Sequence, residues 1–386
     1  MADGAPILTA RTVSSIEEIG ESAWNRLVAN TSDTYHPFIS YAFLHALETS
    51  GSVGTETGWM PFHMVLEQDS EIIGTAPLYV KMNSQGEYVF DHHWADAYRR
   101  AGGRYYPKLV CAAPFTPVPG PRFLSENDDH RQAMAGAIIQ LAEQFGASSA
   151  HINFVTKGTA KTLMSAGFLP RQGTQFHWHN RDYSSFDDFL STFSSRKRKA
   201  VKRERREAVA DGLVIRQLQG NEITEEHWDA FWEFYQDTGA RKWGEPYLTR
   251  KFFDQIAETM SSSLLLIVAE REGLPIAGAL NFIGGDTLYG RYWGCTEDHP
   301  FLHFEICYHQ AVEYAVNHGL QRVEAGAQGE HKLARGYEPV VTHSAHWIRD
   351  PSFRTAIANY LEQERAQGEA EIEILDQYTP YKSRNT

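Results

Sequence analysis

The sequence predicts a mixed α/β protein built as two lobes of similar plan. Three observations carry this: 386 residues are too many for one ordinary core, 42% hydrophobic and 12% aromatic residues can fill two, and landmarks recur at a fixed offset. Trp24-Asn-Arg-Leu27 and Trp228-Asp-Ala-Phe231 open amphipathic segments 204 residues apart, and Gly74 of Glu71-Ile-Ile-Gly74 stands 204 before Gly278 of Pro275-Ile-Ala-Gly278. Each glycine follows an apolar run, His63–Glu67 or Leu264–Ala269, that reads as the first strand of a hairpin. Gly167-Phe-Leu-Pro170 and Gly336-Tyr-Glu-Pro339 lie 169 apart, so the first lobe is longer by 204 − 169 = 35 residues. That surplus falls in the aromatic, Gly/Pro-rich stretch 83–115.

Taken in order, residues 1–184 form the first lobe: a helix at Trp24, a hairpin, the insert 83–115, a helix over Arg131–Phe145 and a strand over Ala150–Val155. Residues 185–212 read as a connecting helix, with Phe186, Phe189, Leu190 and Phe193 at helical spacing and no Gly or Pro before Gly212. The second lobe, 213–350, repeats helix and hairpin, then adds a hairpin over Ala279–Gly294 that turns at Gly284-Gly285-Asp286. Phe304, Tyr308, Ala311, Val312 and Ala315 then mark one face of a helix, with Glu305, His309 and Glu313 on another, and Arg322–Gly326 reads as a strand. Residues 351–386 form a charged helix and tail.

Acidic residues outnumber basic ones, 49 to 36, for a net charge of -13, which argues against general affinity for nucleic acid or anionic membranes. The average hides one exception. Eight of the eleven residues from Arg196 to Arg206 are basic, and Arg196, Lys197, Arg198, Lys199 and Arg203 read as a landing site for a polyanion such as phosphate or RNA. Cys111, Cys295 and Cys307 form no CxxC, so neither a disulfide framework nor a thiolate zinc site is expected. With no leader-like N-terminus and no long apolar run, the expectation is a cytoplasmic protein without a transmembrane segment.

Candidate chemistry concentrates in the second lobe. Strand alternation puts Tyr289, Arg291 and Trp293 on one face, a guanidinium between two rings suited to orienting an anionic group. Directly after the strand ending at Glu324, a glycine-bracketed loop packs Gln328, Glu330, His331, Lys332 and Arg335 into eight positions. A carboxylate or imidazole there, Glu324 or Glu330 with His331, suits proton transfer, while Lys332 and Arg335 suit a developing oxyanion. His303 and Glu305 at the next helix are substrate contacts; with His309 they lack the further ligands a metal site needs, and no metal is expected. In the insert, Asp91, Trp94, Tyr106 and Lys108 lie among aromatics and prolines and read as a substrate-binding loop rather than a core strand. That loop is expected to face the cleft of the second lobe.

These landmarks carry a resemblance. Gly86-Glu-Tyr-Val-Phe-Asp91 with Trp94, Tyr105-Tyr-Pro-Lys-Leu109, Pro114-Phe-Thr-Pro117, Gln175-Phe-His-Trp178, Arg196-Lys-Arg-Lys199, Tyr289-Gly-Arg-Tyr-Trp-Gly294, Leu302-His-Phe-Glu305 and Gly326-Ala-Gln-Gly-Glu-His-Lys332 resemble the FemAB-like proteins, described as predicted N-acyltransferases or peptidoglycan biosynthesis/recognition proteins. The resemblance implies two tandem GNAT-type acyltransferase lobes and an acyl or aminoacyl transfer to a primary amine, linked to cell-wall peptides. It implies no tightly bound cofactor but an activated donor: aminoacyl-tRNA, an acyl carrier protein or an acyl-CoA.

One branch can be weighed against the residues. A GNAT lobe holds the coenzyme A pyrophosphate on a glycine-rich loop at a helix N-terminus. Here Cys295–His303 has no glycine and offers Glu297 and Asp298, and Thr116–Arg122 is interrupted by prolines. A tRNA or carrier-bound donor docking on the basic helix is therefore favoured over acyl-CoA. The other readings are a catalytically silent module that recognises a cell-wall peptide, and nucleic-acid binding by the basic helix alone.

Overall fold

The computed structural model describes residues 8–32, 34–242, 246–326 and 329–382. Met1–Gly173 and Val341–Glu369 make one compact unit; Thr174–Val340 and Ala370–Thr386 make the other. The first unit begins with β1 (Leu8–Val13), α1 (Glu21–Thr31), α2 (Tyr41–Thr49), β2 (Trp59–Pro61), β3 (His63–Gln68), β4 (Glu71–Ala76) and β5 (Leu78–Lys81). It continues with α3 (His92–Arg100), β6 (Lys108–Cys111), α4 (Asp128–Phe145), β7 (Ser149–Val155) and α5 (Lys157–Ser165). β8 (Leu169–His179) starts in this unit and ends in the second.

The second unit runs through α6 (Phe186–Ser191), α7 (Ser195–Ala208), β9 (Val214–Gln219), α8 (Glu225–Lys242), α9 (Arg250–Thr259), β10 (Leu264–Arg271), β11 (Leu274–Gly284) and β12 (Thr287–Cys295). A helical stretch follows in three parts, α10 (Leu302–Phe304), a π turn over Glu305–His309 and α11 (Gln310–Asn317), then β13 (Arg322–Glu324) and a 3₁₀ turn over Glu330–Arg335. The chain closes with β14 (Glu338–Ile348) and α12 (Pro351–Asp376).

In the first unit the strand order is β2-β5-β6-β7-β14, with β1, β3 and β4 as a separate antiparallel sheet. β6 and β7 are parallel, joined by α4, whose start is capped by the Asn127 side chain and carries Asp128 and Asp129 against the helix dipole. Met134, Ala135, Ile138 and Ala142 of α4 bury one stripe against Met64, Leu78, Leu109 and Ile152. The second unit repeats the scheme with order β8-β13-β12-β11-β10-β9, antiparallel from β9 to β12 and parallel between β12 and β13. Its core joins Leu265, Ile267, Ala277 and Leu288 to Ile306, Ala311, Val312 and Ala315.

Three expectations are corrected. The stretch beyond residue 340 is not simply the end of the second lobe followed by a tail: His343–Ile348 of β14 pairs with β7, and Ile357 and Leu361 of α12 pack with Trp94 and Tyr105, all in the first unit. The connecting helix of 185–212 is two helices that belong to the second unit, because Phe186, Phe189, Leu190 and Phe193 are all buried in its core. The insert 83–115 is not one loop. It supplies α3 and the central strand β6, whose four residues are all buried because strands flank it on both sides. Among the described residues, no helix is long and apolar enough to cross a membrane.

Candidate active site

The site of the second unit lies along β12, past its pairing with β13. β12 and β13 pair at Thr287–Tyr289 with Arg322–Glu324, the whole of β13. Next to this end of β13 is a cavity of about 150 Å³, lined among others by Asn281, Arg291, Trp293, His303, Cys307 and Tyr308. A bulge shapes its wall: Asn281 opposes Gly290 and Leu280 opposes Tyr292, so Arg291 is the extra residue. The bulge overturns the expected alternation. Tyr289 shares a face with Tyr292, Trp293 lies on the opposite one, and the Arg291 guanidinium sits 5.5 Å from the Tyr292 ring. Trp293 and His303, whose rings are 5.1 Å apart, also wall a second cavity of about 260 Å³ with Glu297, Asp298 and His299.

Part of the wall comes from the π turn, and the 3₁₀ turn is joined to it by a hydrogen bond. The π turn breaks the continuous helix that periodicity predicts and carries Cys307 and Tyr308 to the cavity. His331, on the 3₁₀ turn, is hydrogen-bonded through Nε2 to the Tyr308 hydroxyl at 2.9 Å. Partial burial, then Lys332 and Arg335, hold this imidazole below its usual pKa, which favours its neutral form. Gly329, at φ 117°, starts the turn in a conformation other residues avoid. Glu330 is exposed beside it, and Gln328 lies outside the described residues.

Lys332 and Arg335 are more committed than the sequence implies. Lys332 is buried, donates to the Gly326 carbonyl at 3.0 Å and has its pKa brought down to about 8, chiefly by burial. Arg335 donates to the His331 carbonyl at 2.7 Å and to Glu204 at 2.9 Å, with its guanidinium 3.5 Å from the Phe304 ring centroid. It fixes the turn rather than facing a substrate. Glu324 is buried between Tyr289 and His177 in the sheet, and burial outweighs the pull of Arg322 to raise its pKa to about 7. The same burial drives His177 down to about 3.

Glu305 is also an anchor rather than a substrate contact. Arg205 of α7 donates to it from Nε at 3.1 Å and from Nη2 at 3.0 Å, and to Glu313 at 2.6 Å, while Glu204 accepts from Arg335 and lies 3.5 Å from His309. These contacts dock the inner edge of α7 on the π turn. The outer face keeps Arg196, Lys197, Lys199, Lys202, Arg203 and Arg206 exposed, and Arg198 is half-buried. The expected polyanion surface is therefore on the outside of a helix whose inner edge touches the site.

In the first unit, Asp91, Trp94, Tyr106 and Lys108 do come together, but in the interior. Lys108 Nζ donates to Asp91 at 2.6 Å, Glu87 at 2.9 Å and Ser84 at 2.9 Å, Tyr105 donates to Asp91 at 2.6 Å, and Ser84 and Tyr106 share a hydrogen bond of 2.8 Å. Burial alone would raise Asp91, yet Lys108 holds it well below the usual carboxylate range; Glu87, where burial dominates, rises to about 7. The Lys108 and Asp91 side chains are 0% and 1% exposed, which suits a structural ion network and not the open binding loop expected.

The sequence matches the FemAB-like family, whose description is peptidoglycan biosynthesis/recognition, over residues 15–383. The chain belongs to this FemAB-like family. No individually curated protein matches it. Among solved structures, FemX is similar at 13% identity and TM-score 0.55, covering 88% of this chain and 98% of its own. The C-terminal domain of a putative lysylphosphatidylglycerol synthetase from Agrobacterium fabrum follows at 10% and 0.53, covering 88% and 96%. A conserved protein of unknown function from Bacteroides thetaiotaomicron gives 9% and 0.52, covering 89% and 100%. At such identities the likeness is one of fold, and it agrees with the mixed α/β architecture described above.

Three residues that line the cavity beside β13 are not among those the sequence singles out. Tyr308 reads as one more apolar position of a helix, Cys307 as an isolated thiol, and Asn281 as a member of an apolar strand. Only Asn281 leaves a signal: an amide inside Ile276–Ile283, where every other residue is apolar or glycine.

Proposed function

We propose that this FemAB-like protein is a cytoplasmic N-acyltransferase that moves an acyl or aminoacyl group from an activated donor onto a primary amine of a cell-wall peptide. The observation that carries this reading is a cavity beside the end of β13 whose lining includes Tyr308, itself hydrogen-bonded to His331. Amine attack forms a C–N bond and breaks the C–O or C–S bond of the donor. The amine proton passes through Tyr308 to neutral His331 and is returned to the leaving group, with exposed Glu330 supporting the transient imidazolium. Arg291 and Lys332 give the cavity the positive potential that a tetrahedral oxyanion needs.

For the donor, the exposed cations of α7 favour a tRNA or a carrier protein, and Glu297 and Asp298 disfavour a coenzyme A pyrophosphate at the neighbouring cavity. The test is transfer to a cell-wall precursor pentapeptide with aminoacyl-tRNA, acyl carrier protein and acetyl-CoA supplied in turn. Replacing Glu330 and His331 together by Ala is expected to lower turnover by about 10²-fold or more. Full turnover in that variant removes the assignment, and turnover with acetyl-CoA alone reassigns the donor. The family description also names recognition; pentapeptide binding by calorimetry with no transfer from any donor supports a silent binding module instead.

A further inference from the structure

A cavity of the second unit has in its wall a hydrogen-bond acceptor to which nothing among the described residues donates. Asn281 sits in β11 at 1% exposure. Its Nδ2 donates to the Ala279 carbonyl at 3.0 Å and the Leu265 carbonyl at 3.3 Å. Two carbonyls around one end of the amide fix its orientation, because the reversed amide would set oxygen against oxygen. Oδ1 is thereby directed elsewhere, Asn281 lines the cavity, and this oxygen has no partner. A buried acceptor left unmatched is costly, so a donor entering the cavity gains what the protein withholds.

Asn281 stands opposite Gly290, and a Cβ at Gly290 would lie 3.3 Å from Oδ1. Oδ1 is itself buried, so a donor reaches it only as the cavity wall gives way, and glycine at 290 adds no side chain to that obstruction. The surrounding charge selects the kind of donor: Arg291 lines the same cavity and acts on nearby Lys332, which burial already holds below its usual pKa. A cationic ammonium is repelled there. An uncharged N–H is not.

We propose that this cavity seats the acceptor amine in neutral form, with one N–H donated to Asn281 Oδ1 and the lone pair left to attack the acyl carbon. Asn281 is then a positioning residue that selects primary over tertiary amines. The step that follows seating rests on the transferase reading above; the seating itself does not. In that step the C–N bond forms, the donor's C–O or C–S bond breaks, and the second proton leaves through Tyr308.

The experiment titrates the full-length protein with 2,2,2-trifluoroethylamine, a primary amine that is uncharged near pH 8, observed by fluorine NMR. Its N,N-dimethyl analogue, which has no N–H when neutral, is titrated in parallel. Saturable binding of the primary amine is expected, at least about tenfold tighter than the analogue, with a similar loss in Asn281→Leu and in Gly290→Ala. Gly290→Ala retains Asn281 and shields its oxygen, so it decides the matter if Asn281→Leu does not fold. Equal binding of the two probes, no binding to the wild type, or undiminished binding to Gly290→Ala overturns the proposal. Amine binding without acyl transfer from any donor would sink the transferase reading and leave the amine seat standing.

Discussion

At the scale of single residues, the clearest measurable consequence lies with Glu324. Its pKa near 7 in the folded chain stands above its ordinary value of 4.5, so the native state keeps a proton that the unfolded state releases. The stability this contributes is complete below about pH 4.5 and is lost as pH rises through 7. Glu324→Gln is expected to flatten the fall in melting temperature between pH 5 and pH 8; an unchanged slope contradicts it. The residues of this region were legible as a cluster, since glycines and titratable groups after a strand mark a site wherever they occur. Their division of labour was not legible. Whether Arg335 meets a substrate or Glu204 depends on α7, which lies about 130 positions earlier in the chain.

Among elements, β6 and α7 show opposite ways of treating charge. Lys108 begins β6 and ties Ser84, Glu87 and Asp91 of the preceding segment to the sheet, entirely in the interior. Lys108→Met leaves two buried carboxylates unpaired and should destabilise the first unit by about 3–5 kcal/mol, read as a lowered urea midpoint. Adding Glu87→Gln and Asp91→Asn should restore much of it. The α7 helix instead puts Arg196, Lys197 and Arg198 in its first turn, followed at once by Lys199, where the dipole disfavours cations, with no acidic residue in that turn to compensate. Neutralising Arg196, Lys197, Lys199 and Arg203 should raise the melting temperature of the free protein slightly and flatten the salt dependence of tRNA binding; an unchanged salt slope rules tRNA out as the ligand of this face. Strands and helices with a clean period were readable in advance, as β3, β10 and α4 show. β6 was missed because the aromatics, charges and prolines around it read as a substrate-binding loop, and only the fold brings Glu87 and Asp91 onto Lys108 to allow its burial.

For the molecule as a whole, the order of segments matters more than the number of lobes. The first unit is assembled from two stretches separated by the first stretch of the second, and the second from two stretches separated by Val341–Glu369 of the first. Neither unit is a continuous piece of chain. A fragment ending at residue 184 lacks β14, the partner of β7, and is expected to be insoluble or to lack the near-ultraviolet dichroism of packed aromatics. Removing 351–386 takes away Ile357, Leu361 and the Arg171–Glu364 ion pair from the first unit and the Phe193–Tyr381 bridge from the second. Both transitions in a thermal scan should then fall. The repeat in the sequence announced two lobes, yet it could not show this interleaving, because a duplication records similarity between segments and is silent about which segments pair.

Interleaving also sets an order on synthesis. A ribosome delivers Ser149–Val155 long before His343–Ile348, and until the second arrives β7 has one edge open, with seven residues that the finished protein buries completely. The first half of the chain must therefore wait for the last, with the β14 edge of β7 unpaired throughout. Slow elongation should lower the yield of folded protein, and a holding chaperone should restore it.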